Sequence, residues 1–130
     1  MKNITFFAIV ITSLFLLSAC SKSIFFGTTV EVEVVNLFNL PVKGGTIVYL
    51  FKDSFTIDSK ASDAKKQAVT NDEGVASFRL NFKELNIFES ETSLYFAVFY
   101  NLAGKEHMAG SSAIAVRNGV TERLRLKVPI

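Results

Sequence analysis

The chain has 130 residues, 49% of them hydrophobic, and 14 Lys and Arg against 12 Asp and Glu. A formal charge of +2 gives no electrostatic footprint for nucleic acid or for a strongly acidic partner. One cysteine and one histidine exclude an internal disulfide and fall short of the ligand sets of structural zinc sites.

The first residues carry the three parts of an export signal. Lys2 supplies the positive end, and Ile4 to Leu17 is apolar but for Thr5, Thr12 and Ser13. The small residues Ser18 and Ala19 follow, then Cys20. A membrane span needs about 20 apolar residues. This run is shorter and turns polar at once at Ser21, Lys22 and Ser23. Leu17-Ser18-Ala19-Cys20 resembles the lipobox of bacterial lipoproteins. The resemblance implies cleavage after residue 19 and diacylglycerol and palmitate-type acyl chains on Cys20. Two or more acyl chains anchor stably where one holds only marginally. By the same resemblance, Ser21 in place of an aspartate implies transfer to the outer membrane, and the lack of an acidic run after Cys20 favours an anchor facing the periplasm over the alternative of display on the cell surface. The expected organisation is a signal over 1–19, a lipidated cysteine and tether over 20–28, and one domain over 29–130.

Downstream, the pattern predicts strands. Thr29 to Leu37 alternates, with Val30, Val32 and Val34 on one face and Glu31 and Glu33 on the other. Asn39, Pro41, Gly44 and Gly45 break the chain into a turn. Thr46 to Phe51 is apolar on both faces, as a covered central strand would be. Lys52 to Gln67 reads as a long polar loop with one helical turn, and loops of this length tend to be functional or mobile. A short strand over Gln67 to Thr70 leads to Asn71-Asp72-Glu73-Gly74, a strong turn signal. Val75 to Phe82 alternates again. After a loop over Lys83 to Thr92, Ser93 to Tyr100 is the most aromatic strand. Ala103-Gly104 suits a hairpin, His107 to Arg117 is extended, and Asn118-Gly119 is the strongest hairpin signal in the chain. Val120 to Val128 closes the domain, with Leu124, Leu126 and Val128 inward. The expected fold is all-β, a single antiparallel seven-stranded β-sandwich.

Asn39-Leu40-Pro41-Val42, then Gly44-Gly45-Thr46-Ile47-Val48-Tyr49-Leu50, then Thr70-Asn71-Asp72-Glu73-Gly74 before Ala76-Ser77-Phe78 resemble the transthyretin-like, carboxypeptidase-regulatory-like sandwich family. The resemblance implies a fold and a non-catalytic habit, not a ligand. Hydrolase relatives of transthyretin use several histidines and a C-terminal Tyr-Arg-Gly-Ser. This chain has His107 alone and ends Lys127-Val128-Pro129-Ile130, so no enzyme and no catalytic residue is expected. The Lys–Asn isopeptide of some adhesin sandwiches needs a lysine that the first strand lacks. Asp53, Asp58 and Asp63 match no calcium-loop spacing, so no metal or cofactor is expected.

The expected function is a lipid-anchored envelope protein acting by contact, through a sheet edge or the Lys52 to Gln67 loop, on an envelope protein partner. A glycan- or peptide-binding lipoprotein is a second reading, with Phe55 and Phe88 as candidate ligand contacts. A secretion-apparatus lipoprotein is a third. Glu31 and Glu33 would face Arg123 and Arg125 if the first and last strands pair.

Overall fold

The computed structural model describes residues 27–42, 44–56 and 58–129. The export segment, Cys20 and the tether's Phe25 and Phe26, which the sequence offers as a cap for the bottom of the core or as lipid contacts, lie outside the described residues. Seven strands form: β1 (Thr28–Val35), β2 (Ile47–Phe51), β3 (Lys66–Val69), β4 (Val75–Leu80), β5 (Glu91–Leu102), β6 (Lys105–Arg117) and β7 (Thr121–Lys127). They make two sheets, ordered β4-β1-β7 and β3-β2-β5-β6. Thr28 belongs to the first strand and not to the preceding tether.

The alternation in each strand decides its inward face. Val30, Val32 and Val34 of β1 and Ala76, Phe78 and Leu80 of β4 are buried. They meet Val48 and Leu50 of β2 and Leu94, Phe96 and Val98 of β5 in one core. Phe78 and Phe96 touch edge to face across the two sheets, centroids 5.2 Å apart. Phe82, Leu85 and Ile87 of the β4–β5 loop close one end of this core.

The sandwich is not wholly antiparallel. β1 pairs with β4 antiparallel but with β7 parallel. The cause lies at Asn118-Gly119, which does not join two paired strands as a hairpin would. Arg117 O accepts from Val120 N at 3.2 Å, and only Gly119 of the central pair has positive φ, +82°. That is the pattern of a type II rather than a type I′ turn. Thr28 holds the turn in place. Its hydroxyl donates to Asn118 Oδ1 at 2.9 Å and accepts from Gly119 N at 2.9 Å. The chain therefore leaves the four-stranded sheet at β6 and enters the other sheet beside β1. At the far end of β7 it passes back against β6. A Cβ on Gly110 would collide with the Lys127 carbonyl and lie 3.1 Å from Val128 Cγ1.

Strand direction gives the molecule two ends. At the entry end lie Thr28, Leu80, the 81–90 loop and Asn118-Gly119, joined by pairing of Thr28 with Leu80 and by Asn118 N to Ser90 O. At the far end lie the 36–45 and 71–74 turns and the Ala103-Gly104 hairpin tip, with Gly44 N bonded to Asn71 O. Eight residues of β1 separate the ends by about 25 Å at ~3.3 Å per residue.

The hairpin expected at Ala103-Gly104 does form, with φ of +53° and +78°, the type I′ geometry. Alanine is strained there by about 1–2 kcal/mol. Ala103→Asn is expected to raise the unfolding midpoint in urea, by up to about 1 kcal/mol. Gly110→Ala is expected to lower it by about 1–3 kcal/mol, because backbone must shift to admit the methyl group.

Candidate functional site

The Lys52 to Gln67 segment is packed rather than free. Past β2 it lays Phe55 on the outer face of the four-stranded sheet, 5.1 Å from the Phe51 ring and 5.7 Å from Tyr95, both edge to face. Phe99 continues the cluster to Phe51 at 6.0 Å and to Tyr49 at 5.6 Å. The loop then reaches the β5–β6 hairpin, where Ala61 N donates to Glu106 Oε2 at 3.2 Å. A 3-10 turn spans Ala61–Asp63, and Asp63 Oδ2 accepts from Lys60 N at 3.1 Å. Lys65 N returns to Leu50 O at 2.8 Å. Asp63 is thus occupied with its own loop, and among the described residues no three metal-capable side chains gather.

Phe55 and Phe88 are not brought together. Phe55 is half-buried within the aromatic cluster. Phe88 is 84% exposed at the entry end, in the loop whose Leu85 and Ile87 are buried. His107 is exposed and stacks on Tyr100 with centroids 5.4 Å apart, a surface strand pair.

Glu31 and Glu33 do face Arg123 and Arg125, as strand pairing requires. Arg123 Nε donates to Glu31 Oε2 at 2.7 Å, and Arg125 lies 3.8 Å from Glu33. The hydrogen bond and charge of Glu31 raise the Arg123 guanidinium above its ordinary, already high value, so it stays charged. These side chains line a shallow hollow of about 320 Å³ with Val75 and Leu124. Acid and base neutralise each other there and leave no free charge for a ligand. Exposed pairs of this kind fix register more than they add stability.

The feature that sequence reading passed over is an apolar turn at the far end. Leu37, Phe38 and Leu40 are 59%, 81% and 59% exposed. Asn36 makes the turn rigid. Its Oδ1 accepts from Phe38 N at 2.9 Å and Leu40 N at 3.1 Å, while its own N–H bonds to Leu40 O at 2.9 Å. Ile47, Val69, Tyr100 and Leu102 are exposed toward the same end. Among the described residues Phe88 is the one large exposed apolar side chain at the entry end. The signal was present in the sequence as three large apolar residues, Leu37, Phe38 and Leu40, in a turn that also holds Asn36, Asn39 and Pro41, where polar residues are the rule.

No family model matches the sequence, and no curated protein matches it. Among solved structures, the fold is similar to part of a 9R-lipoxygenase from Cyanothece PCC8801 (14% identity, TM-score 0.50), covering 82% of this chain and 17% of that one. Weaker likenesses are to the Bacillus anthracis TIE protein (16% identity, TM-score 0.47, 79% and 16% covered) and to BcpA, the major pilin subunit of Bacillus cereus (15%, 0.42, 79% and 30%). The chain thus spans between 16% and 30% of these proteins. At such identities the likeness concerns the fold alone, a β-sandwich.

Phe55→Ala is expected to expose Lys60 and Lys65 to trypsin faster than in the parent, because the loop loses two ring contacts each worth about 0.5–1.5 kcal/mol. Phe88→Ser is expected to leave stability within about 0.5 kcal/mol. Unchanged cleavage of the Phe55 variant would mean that the polar ties alone hold the loop.

Proposed function

We propose that this chain is a lipid-anchored envelope protein of transthyretin-like sandwich type that works by contact and not by catalysis. The observation that carries the reading is the gathering of exposed apolar side chains at one end of the sandwich, on a turn clamped by Asn36. Large apolar side chains held rigidly in water mark a surface that is covered in use. Rigidity lowers the ordering cost of binding. The second support is orientation. An acylated Cys20 would hold Gly27 and the entry end against the membrane by a link of a few residues. The far end would then point away from that membrane, toward an apolar pocket on a protein partner in the periplasm. The ion-paired hollow and the lone His107 supply no group placed for general acid–base or nucleophilic chemistry. Phe55 packs within the loop's own ring cluster, which weighs against its use as a ligand contact, while Phe88 is exposed.

Two measurements test this. Mass spectrometry of the envelope-bound protein should find an N-terminal peptide that begins at acylated Cys20; an unmodified Cys20 or a different N-terminus removes the anchor. A photo-cross-linking residue at position 38 should give one discrete protein adduct in cells, abolished by Leu37→Ser with Leu40→Ser. No adduct at 38, where the same probe at Lys83 gives as much or as little, removes the contact reading.

A further inference from the structure

Phe88 is the most exposed large apolar side chain among the described residues, at 84%. Its own loop enforces that exposure. Ile87 N donates to Phe82 O at 2.8 Å and Leu85 N to Asn81 O at 3.2 Å, and Phe82, Leu85 and Ile87 are buried. Asn86 turns the chain with φ of +55°, and its carbonyl accepts from Lys52 Nζ at 3.1 Å. Two residues past Phe88, Ser90 O accepts from Asn118 N at 2.9 Å. The chain is thus tied to the sandwich before and after Phe88. A ring held in this way loses little freedom when something covers it.

The start of the domain lies beside this loop. Asn118, which holds Ser90, also accepts from the Thr28 hydroxyl at 2.9 Å. Thr28 pairs with Leu80, the last residue before the loop, so the tether joins the domain there. Only Ser21 to Phe26 separate Cys20 from Gly27, and seven residue steps span at most about 25 Å. The last residues of that link, Ile24, Phe25 and Phe26, are apolar. An isolated exposed ring is ordinary on a protein surface. Its place beside the anchored end is what gives this one an occupant.

We propose that Phe88 enters the interfacial layer of the bilayer that holds the acyl chains of Cys20, so that the domain is seated on lipid at two points. The proposal rests on the acylated Cys20 of the proposed function. An anchor alone leaves the domain free to swivel on its tether. A second apolar contact fixes which end meets the lipid and keeps Leu37, Phe38 and Leu40 turned away from it. The short tether holds the loop at a high effective concentration near the membrane, so one ring suffices where free association would need several. Lys52 and Lys83 balance Glu84 and Glu89 around the ring, so the seating does not call for anionic lipid.

The chain has no tryptophan, so Phe88→Trp supplies a single fluorescent reporter at a position with room for the larger ring. The full acylated chain is reconstituted into vesicles of phosphatidylcholine brominated on its acyl chains, and mass spectrometry records the acyl groups on Cys20. Indole emission at position 88 should shift to the blue and fall to about half or less, because interfacial side chains sit about 5–10 Å into the headgroup and acyl boundary. In Phe38→Trp, emission should stay within about a tenth of its value in unbrominated vesicles, since the length of β1 holds the far end about 25 Å away. An acylated chain quenched no more at 88 than at 38 overturns this proposal and leaves the anchor standing. A blue shift without quenching does the same, because the tether or a second copy then covers the ring. A Cys20 without acyl chains removes the anchor and this seating together.

Discussion

The contact between the two sheets is what the rest of this molecule depends on. Phe78 and Phe96 meet across the sandwich, set among the fully buried Val30, Val32, Val34, Leu50 and Leu94. Complete burial of one such side chain contributes roughly 1.5–3 kcal/mol. The edges, turns and outer faces take their positions from the requirement that both inner faces stay dry. A register slip of one residue in β1 would expose its valines and bury Glu31 and Glu33, and the ion pairs of those glutamates with β7 oppose such a slip from the outer side.

The outer faces have been put to different uses. On the three-stranded sheet, Glu31 and Glu33 are paired with Arg123 and Arg125. On the four-stranded sheet the outward residues are aromatic, and the chain covers them with its own loop. Tyr49, Phe51, Phe55, Tyr95 and Phe99 form a connected set of rings. A face that would be sticky if bare is thereby consumed internally. Among the described residues, the rigid apolar turn at the far end and the β6 edge stay uncovered, as does Phe88 at the entry end. The first offers side chains and the second offers backbone, so the two surfaces would be recognised by different chemistry and need not compete.

Little of the surface was legible residue by residue. Phe55 and Phe88 look alike in sequence, each an aromatic in a polar loop. Phe55 is captured because the preceding strand ends at Phe51 and the loop can fold back onto Tyr95. Phe88 stays exposed while Leu85 and Ile87 of the same loop enter the core. Leu37, Phe38 and Leu40 look like candidates for burial. The bonds of Asn36 to the backbone of that turn hold it outside the core.

By itself the sequence determined the all-β class of the fold, the inward faces of the three alternating strands, and the turns at 71–74 and 103–104. Those follow from period-two alternation and from turn chemistry, which act over a few neighbouring residues. The tertiary structure decided the parallel partnership of β1 and β7, the turn type at Asn118-Gly119, the docking of the Lys52 to Gln67 loop and the edge left bare. Each of these depends on residues distant in the chain, such as Thr28 with Asn118 or Ala61 with Glu106. Local pattern states which face of a strand is buried, whereas only the packed sheets determine which strand lies beside it and which has no neighbour.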